Sequence, residues 1–157
     1  MYLAVRIAKE QNPITEASGS AFAVTRILAV DDFEPYRLLV VSLLHERPDL
    51  KVICGVSNGL EAVQKAQELK PDLILMDIGL PGLNGIEAAR RIHTFAPNSK
   101  IIFLTQESSP EVVREAVTLG ASGYVLKSQA ETDLLIAVDA VLQGKQFFND
   151  GEGRHRS

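Results

Sequence analysis

Apolar runs that stop abruptly at a polar residue recur along this chain and constrain its fold more than any other feature. Ile27-Leu28-Ala29-Val30 stops at Asp31-Asp32, Leu73-Ile74-Leu75-Met76 at Asp77, Ile101-Ile102-Phe103-Leu104 at Thr105, and Gly123-Tyr124-Val125-Leu126 at Lys127. Together with the run Val52-Ile53-Cys54-Gly55-Val56 they predict strands over 26–30, 51–56, 72–76, 101–105 and 122–126. Helical patterns separate them, which argues for βαβ units on a parallel sheet. The runs are continuous rather than alternating, as buried strands covered on both faces require. The predicted fold is therefore α/β, a five-stranded, doubly wound parallel sheet. In such a sheet the C-terminal strand ends share one edge, where ligands bind. Three acids, a hydroxyl and an ammonium converge on that edge.

The intervening helices carry start and stop signals. The first follows Asp32, has Pro35 in its first turn and is closed by Pro48; the second lies between Asn58 and Pro71. The third follows Leu83-Asn84-Gly85 and stops before Pro97. The fourth begins near Ser109-Pro110-Glu111 and ends at Gly120, a residue suited to a left-handed cap. The fifth, from about Ala130 to Gln143, presents Leu134, Leu135, Val138, Val141 and Leu142 as an apolar stripe.

At 157 residues the chain suits one domain. Residues 1–24 lack a clear period and contain Asn12-Pro13 and Ser18-Gly19-Ser20, so they are expected outside the core. A net charge of −4 excludes the basic footprint of an autonomous nucleic-acid-binding module. No apolar run reaches the roughly 18–20 residues of a membrane span, and no signal-peptide core is present, so a cytoplasmic location is expected. The single Cys54 reads as a small buried residue and cannot form an internal disulfide. His45, His93 and His155 have no second ligand or nucleophile at a useful spacing and read as solvated side chains.

Adjacent carboxylates Asp31 and Asp32, joined by Asp77 from a neighbouring strand, form a hard oxygen site suited to Mg²⁺, a metal that keeps waters and pairs with phosphates. Clustered carboxylates repel unless a cation lies among them, and the metal and Lys127 supply one. If Asp77 attacks a phosphoryl group it becomes an aspartyl phosphate, and the charge on the transferring group is then stabilised by Mg²⁺ and an ammonium, with Thr105 placed to bond a phosphoryl oxygen.

Asp31-Asp32, the stretch Met76-Asp77-Ile78-Gly79-Leu80-Pro81-Gly82-Leu83-Asn84-Gly85, Leu104-Thr105 and Tyr124-Val125-Leu126-Lys127-Ser128 occur in an order and spacing that resembles the receiver domain of two-component response regulators, a flavodoxin-like fold typified by CheY. The resemblance covers about Arg26 to Gln146, implying a receiver over 25–146 and a short tail or linker start over 147–157. It implies that Asp77 accepts a phosphoryl group from a sensor histidine kinase. Asp32 would ligate Mg²⁺ directly, Asp31 through water, and Asp77 and the Gly79 carbonyl would complete the protein ligands. Lys127 would pair with the acyl phosphate. Thr105 and Tyr124 would form the switch: Thr105 moves inward and Tyr124 follows, and partners read the change at the face of the fourth helix, fifth strand and fifth helix. Lys127-Ser128 and the stretch through Gly144-Lys145-Gln146-Phe147 resemble the NarL/FixJ subfamily, in which a DNA-binding helix-turn-helix domain follows the receiver. DNA contact is thus expected only through an output domain outside this chain, in the service of transcription control; the alternative is a stand-alone receiver acting by protein contact. A homodimer through either of two helical faces is compatible with both.

One departure concerns Gln106, where many such receivers carry a small residue; a long amide there is expected to narrow access to Asp77, and Glu107 either reaches toward the acyl phosphate or stays in solvent. A phosphatase of the haloacid-dehalogenase type fits poorly, because its nucleophile follows the first strand with a second Asp two positions later. A degenerate receiver would lack one of Asp32, Asp77 and Lys127. A flavodoxin-like nucleotide binder would need a glycine-rich loop after the first strand.

Overall fold

A computed structural model describes residues 23–149 and the backbone of 154–156. The extension expected over 1–24 lies, through residue 22, outside the described residues. The elements in chain order are β1 (Thr25–Val30), α1 (Glu34–Leu44), β2 (Leu50–Val56), α2 (Gly59–Leu69), β3 (Leu73–Met76), α3 (Gly85–Phe95), β4 (Lys100–Thr105), α4 (Pro110–Leu119), β5 (Gly123–Leu126), α5 (Ala130–Leu142), β6 (Phe147–Asn149) and β7 (Arg154–Arg156), with a 3-10 turn over Lys127–Gln129 between β5 and α5.

The strands lie in the order β2-β1-β3-β4-β5-β6-β7. Among the described residues six are parallel, and β7 closes the edge antiparallel to β6. The five-strand expectation is therefore corrected. Phe147 and Phe148 follow the turn at Gly144 and pair with Gly123 and Tyr124 of β5. Three residues are too few to show a strand period, and what recruits them is the edge of β5 and the burial of Phe147, which is 0% exposed.

The sheet separates two cores. On one face Leu28, Ile74, Met76, Phe103 and Tyr124 pack under α2, α3 and α4; on the other Ile27, Leu75, Ile102, Leu104 and Val125 pack under α1 and α5. Each Leu or Ile taken fully out of water contributes about 1.5–3 kcal/mol, and the central strands β3 and β4 are buried almost throughout. β2 is not: as the edge strand it is exposed or half-buried at its central positions, and Cys54, expected to be buried, is half-buried there. In α5 the buried stripe is Leu134, Ala137, Val138 and Val141, spaced three and four apart, whereas Leu142 turns off it and is exposed.

Helix starts follow the capping logic. Asn58, Asn84 and Ser109 accept hydrogen bonds from the N–H groups of Glu61, Glu87 and Val112. Gly120 ends α4 at φ 101°, the left-handed cap expected of it. Two glycines set how closely the starts of α2 and α3 approach the segment that follows β3. A Cβ on Gly59 would lie 2.0 Å from the Leu83 carbonyl oxygen, and one on Gly85 would lie 2.1 Å from that of Asp77.

Candidate functional site

Because the chain runs from β1 outward to β2 and then back to β3, the ends of β1 and β3 are neighbours at the point where strand order reverses, the usual place for a ligand crevice. Val30 lies in register with Met76, so the residues that follow them, Asp31 and Asp77, leave the sheet side by side. The main chain holds both: Asp31 N–H donates to the Val56 carbonyl at 3.1 Å, and Asp77 N–H to the Val30 carbonyl at 3.0 Å.

Carboxylate oxygens of Asp31, Asp32 and Asp77 all lie within 4.8 Å of one another, with Asp31 and Asp77 buried and Asp32 exposed. Lys127, one residue past β5, reaches across with its Nζ 2.7 Å from Asp31 Oδ2 and 2.9 Å from Asp77 Oδ2. Its side chain is only 12% exposed. Burial alone would lower the Lys127 pKa, but its hydrogen bonds to Asp31 and Asp77 outweigh that and hold the ammonium above its ordinary value. The remaining oxygens are oriented locally: Phe33 N–H donates to Asp31 Oδ1 at 2.9 Å and Gly79 N–H to Asp77 Oδ1 at 3.3 Å. Each carboxylate retains lone pairs beyond these bonds. Three oxygen-only donors around one point suit a hard cation such as Mg²⁺.

Of the sequence-predicted residues, Asp32, Asp77, Gly79, Thr105, Lys127 and the pair Gln106-Glu107 line one open cleft of about 490 Å³, while Asp31 is buried beside it and joined to it through Lys127. Gln106 and Glu107 are exposed at its rim. Thr105 is buried, and its Oγ1 accepts the Glu107 N–H at 3.2 Å. Tyr124 does not line the cleft: its ring is fully buried against Phe103, in the inward orientation, and its hydroxyl donates to the Glu107 carbonyl.

Sequence reasoning missed Tyr36. Its ring lies 4.7 Å below the Lys127 ammonium and its hydroxyl donates to the Lys127 carbonyl at 3.0 Å, so it supports the lysine at both ends. Burial, then the nearby Asp31 and Asp77 carboxylates, raise its pKa to about 12. The signal was there: Tyr36 heads the stripe of α1 that continues with buried Val40 and Leu44, four residues apart.

This site geometry coincides with a match over most of the chain: residues 27–139 fit the family described as the response regulator receiver domain. The chain belongs to that family. Among relatives, the receiver is 40% identical over 119 residues to the transcriptional regulatory protein LnrK of Bacillus subtilis (strain 168), covering 76% of this chain and 54% of LnrK. It is 36% identical over 123 residues to the response regulator protein VraR of Staphylococcus aureus, covering 78% of this chain and 59% of VraR. The receiver therefore spans only a little over half the length of these curated relatives. Its fold matches the crystal structure of a LuxR-family two-component response regulator from Aurantimonas sp. SI85-9A1 with a TM-score of 0.77 at 32% identity, covering 83% of this chain and 92% of that one. The response regulator domain of Thermotoga maritima CheB matches with a TM-score of 0.72 at 34% identity, over 76% and 97% of the two chains. Among the described residues no helix is long and apolar enough to cross a membrane.

Proposed function

We propose that this receiver takes a phosphoryl group from the phosphohistidine of a sensor histidine kinase onto Asp77, and that the resulting aspartyl phosphate changes the surface its partners read. The observation that carries the reading is the bridging ammonium of Lys127, held between Asp31 and Asp77 at the strand ends. An oxygen of Asp77 attacks phosphorus, the P–N bond to the donor imidazole breaks, and the imidazole leaves with the electron pair of that bond. Asp31, Asp32 and Asp77, with the Gly79 carbonyl, would hold Mg²⁺, which when bound supplies charge stabilisation to the transferring group. Lys127 exchanges its contact with Asp77 for one with a phosphoryl oxygen, contributing a second positive charge. Thr105 turns its hydroxyl from the Glu107 N–H to the phosphoryl group. The Glu107 backbone, bonded to Tyr124 on its other side, carries that change toward α4 and β5.

On this reading the chain is a switch, cytoplasmic like the kinase domain that would serve it, rather than an enzyme for an external substrate. LnrK is described as a transcriptional regulator, and that supports a role for the whole protein in transcription control through an output domain. The test is intact mass after incubation with Mg²⁺ and acetyl phosphate, repeated with phosphorylated histidine kinase and run beside Asp77→Asn. A labile gain of one phosphoryl group, absent in Asp77→Asn, is the expected result; no gain from either donor would refute the reading.

A further inference from the structure

Arg37, at the end of the first turn of α1, points its guanidinium into the protein rather than into water: the side chain is 17% exposed and lies beside Val30, Val40, Leu75 and Leu104. A cation largely withdrawn from water requires a partner, yet the nearest carboxylate, Glu34, is 3.8 Å away and exposed. Its close bond, 2.5 Å from Nη1, goes instead to the backbone carbonyl of Asp31. Space for it comes from β2, where the β1–β2 register shifts between Ile27 and Leu28 and brings Gly55 opposite Ala29. A Cβ on Gly55 would meet Arg37 Nε at 3.2 Å.

We propose that Arg37 is a positioning residue for the cation site, holding the peptide plane between Asp31 and Asp32. The inference rests on the function proposed above. Asp31 is anchored through four atoms, by Val56, Phe33, Lys127 and Arg37. Asp32, in contrast, is exposed, and among the described residues its carboxylate makes no hydrogen bond. Its direction is set by the peptide behind it, and the carbonyl of that peptide is what Arg37 grips. A partner at one remove from the ligands is worth about 10–100-fold in metal affinity where such partners have been removed.

The sign of the effect separates positioning from charge. Removing a positive group near three carboxylates would by Coulomb's law tighten a cation, whereas losing the grip on Asp32 loosens it. The experiment is calorimetric titration of the full chain with Mg²⁺ for wild type, Arg37→Met, Gly55→Ala and the double variant, each with its folded content checked by circular dichroism. Arg37→Met retains the apolar stem; the expected result is Mg²⁺ binding weakened on the order of tenfold. Gly55→Ala keeps the arginine but crowds its Cδ and Nε, so binding weakens by less, and the alanine adds nothing once Arg37 is Met. Equal or tighter binding in Arg37→Met overturns the role; if that variant does not fold, unchanged binding in Gly55→Ala does. A wild type that takes up no Mg²⁺ would overturn both this role and the function it rests on.

Discussion

The hydroxyl of Tyr124 donates a hydrogen bond to the backbone carbonyl of Glu107, and the N–H of the same residue donates to Thr105 Oγ1 at 3.2 Å. One peptide segment after β4 is thus held from both sides, by the residue nearest the acidic cleft and by a buried ring on the next strand. Tyr124→Phe removes one side of this clamp while leaving the ring contact with Phe103. A single buried hydrogen bond contributes about 1 kcal/mol, and a loss of that size is expected in denaturant unfolding. Hydrogen exchange at Ser108 and Ser109 should accelerate; unchanged exchange there would show that Glu107 is held by other means.

Replacing Lys127 with Met leaves the Asp31 and Asp77 carboxylates facing each other without their shared ammonium. Breaking a buried pair in this way costs about 3 kcal/mol. The loss should be largely recovered by Mg²⁺, because a divalent cation answers the same repulsion. Thermal unfolding across a Mg²⁺ series checks this, and the midpoint of Lys127→Met is expected to rise more steeply than that of the wild type.

Alkaline pH should weaken the fold through Tyr36 and Lys127. Both hold their protons more tightly in the folded protein than in the unfolded chain, Tyr36 with a pKa of about 12 against 10.0. Their contribution is therefore complete below the unfolded values and disappears as pH rises through the folded ones. Stability is expected to fall between about pH 10 and 12, with a shallower fall in Tyr36→Phe. Ultraviolet titration should show a late-ionising tyrosine that this variant lacks.

Gly85→Ala places a methyl 2.1 Å from the Asp77 carbonyl oxygen, and backbone cannot swing aside as a side chain can. Overpacking of this kind costs about 1–3 kcal/mol. It also displaces the segment bearing the proposed acceptor, so phosphoryl uptake measured by intact mass should slow by more than the loss of folded protein explains.

Gln106 stands exposed at the rim of the cleft. Gln106→Ala should accelerate phosphorylation by acetyl phosphate with little change in stability. An equal or slower rate would mean that the amide does not limit access.

The parallel sheet, its helices and the cluster of acids with Lys127 were legible because each depends on local pattern. Uninterrupted apolar runs declare buried strands, and polar residues at their ends declare the edge on which chemistry collects. Capping residues such as Asn58, Asn84 and Ser109 marked the helix starts for the same reason, since each bonds a backbone group three residues away.

What tertiary structure alone decided depends on partners distant in the chain. β6 is a strand only because β5 offers it an edge, and β2 is partly exposed only because no strand lies on its outer side. Arg37 and Tyr36 serve the site by bonding main-chain carbonyls, of Asp31 and Lys127. Every residue carries a carbonyl, so no pattern of side chains announces which one will be gripped. Folding chooses it, by bringing the turn of α1 between the ends of β1 and β5.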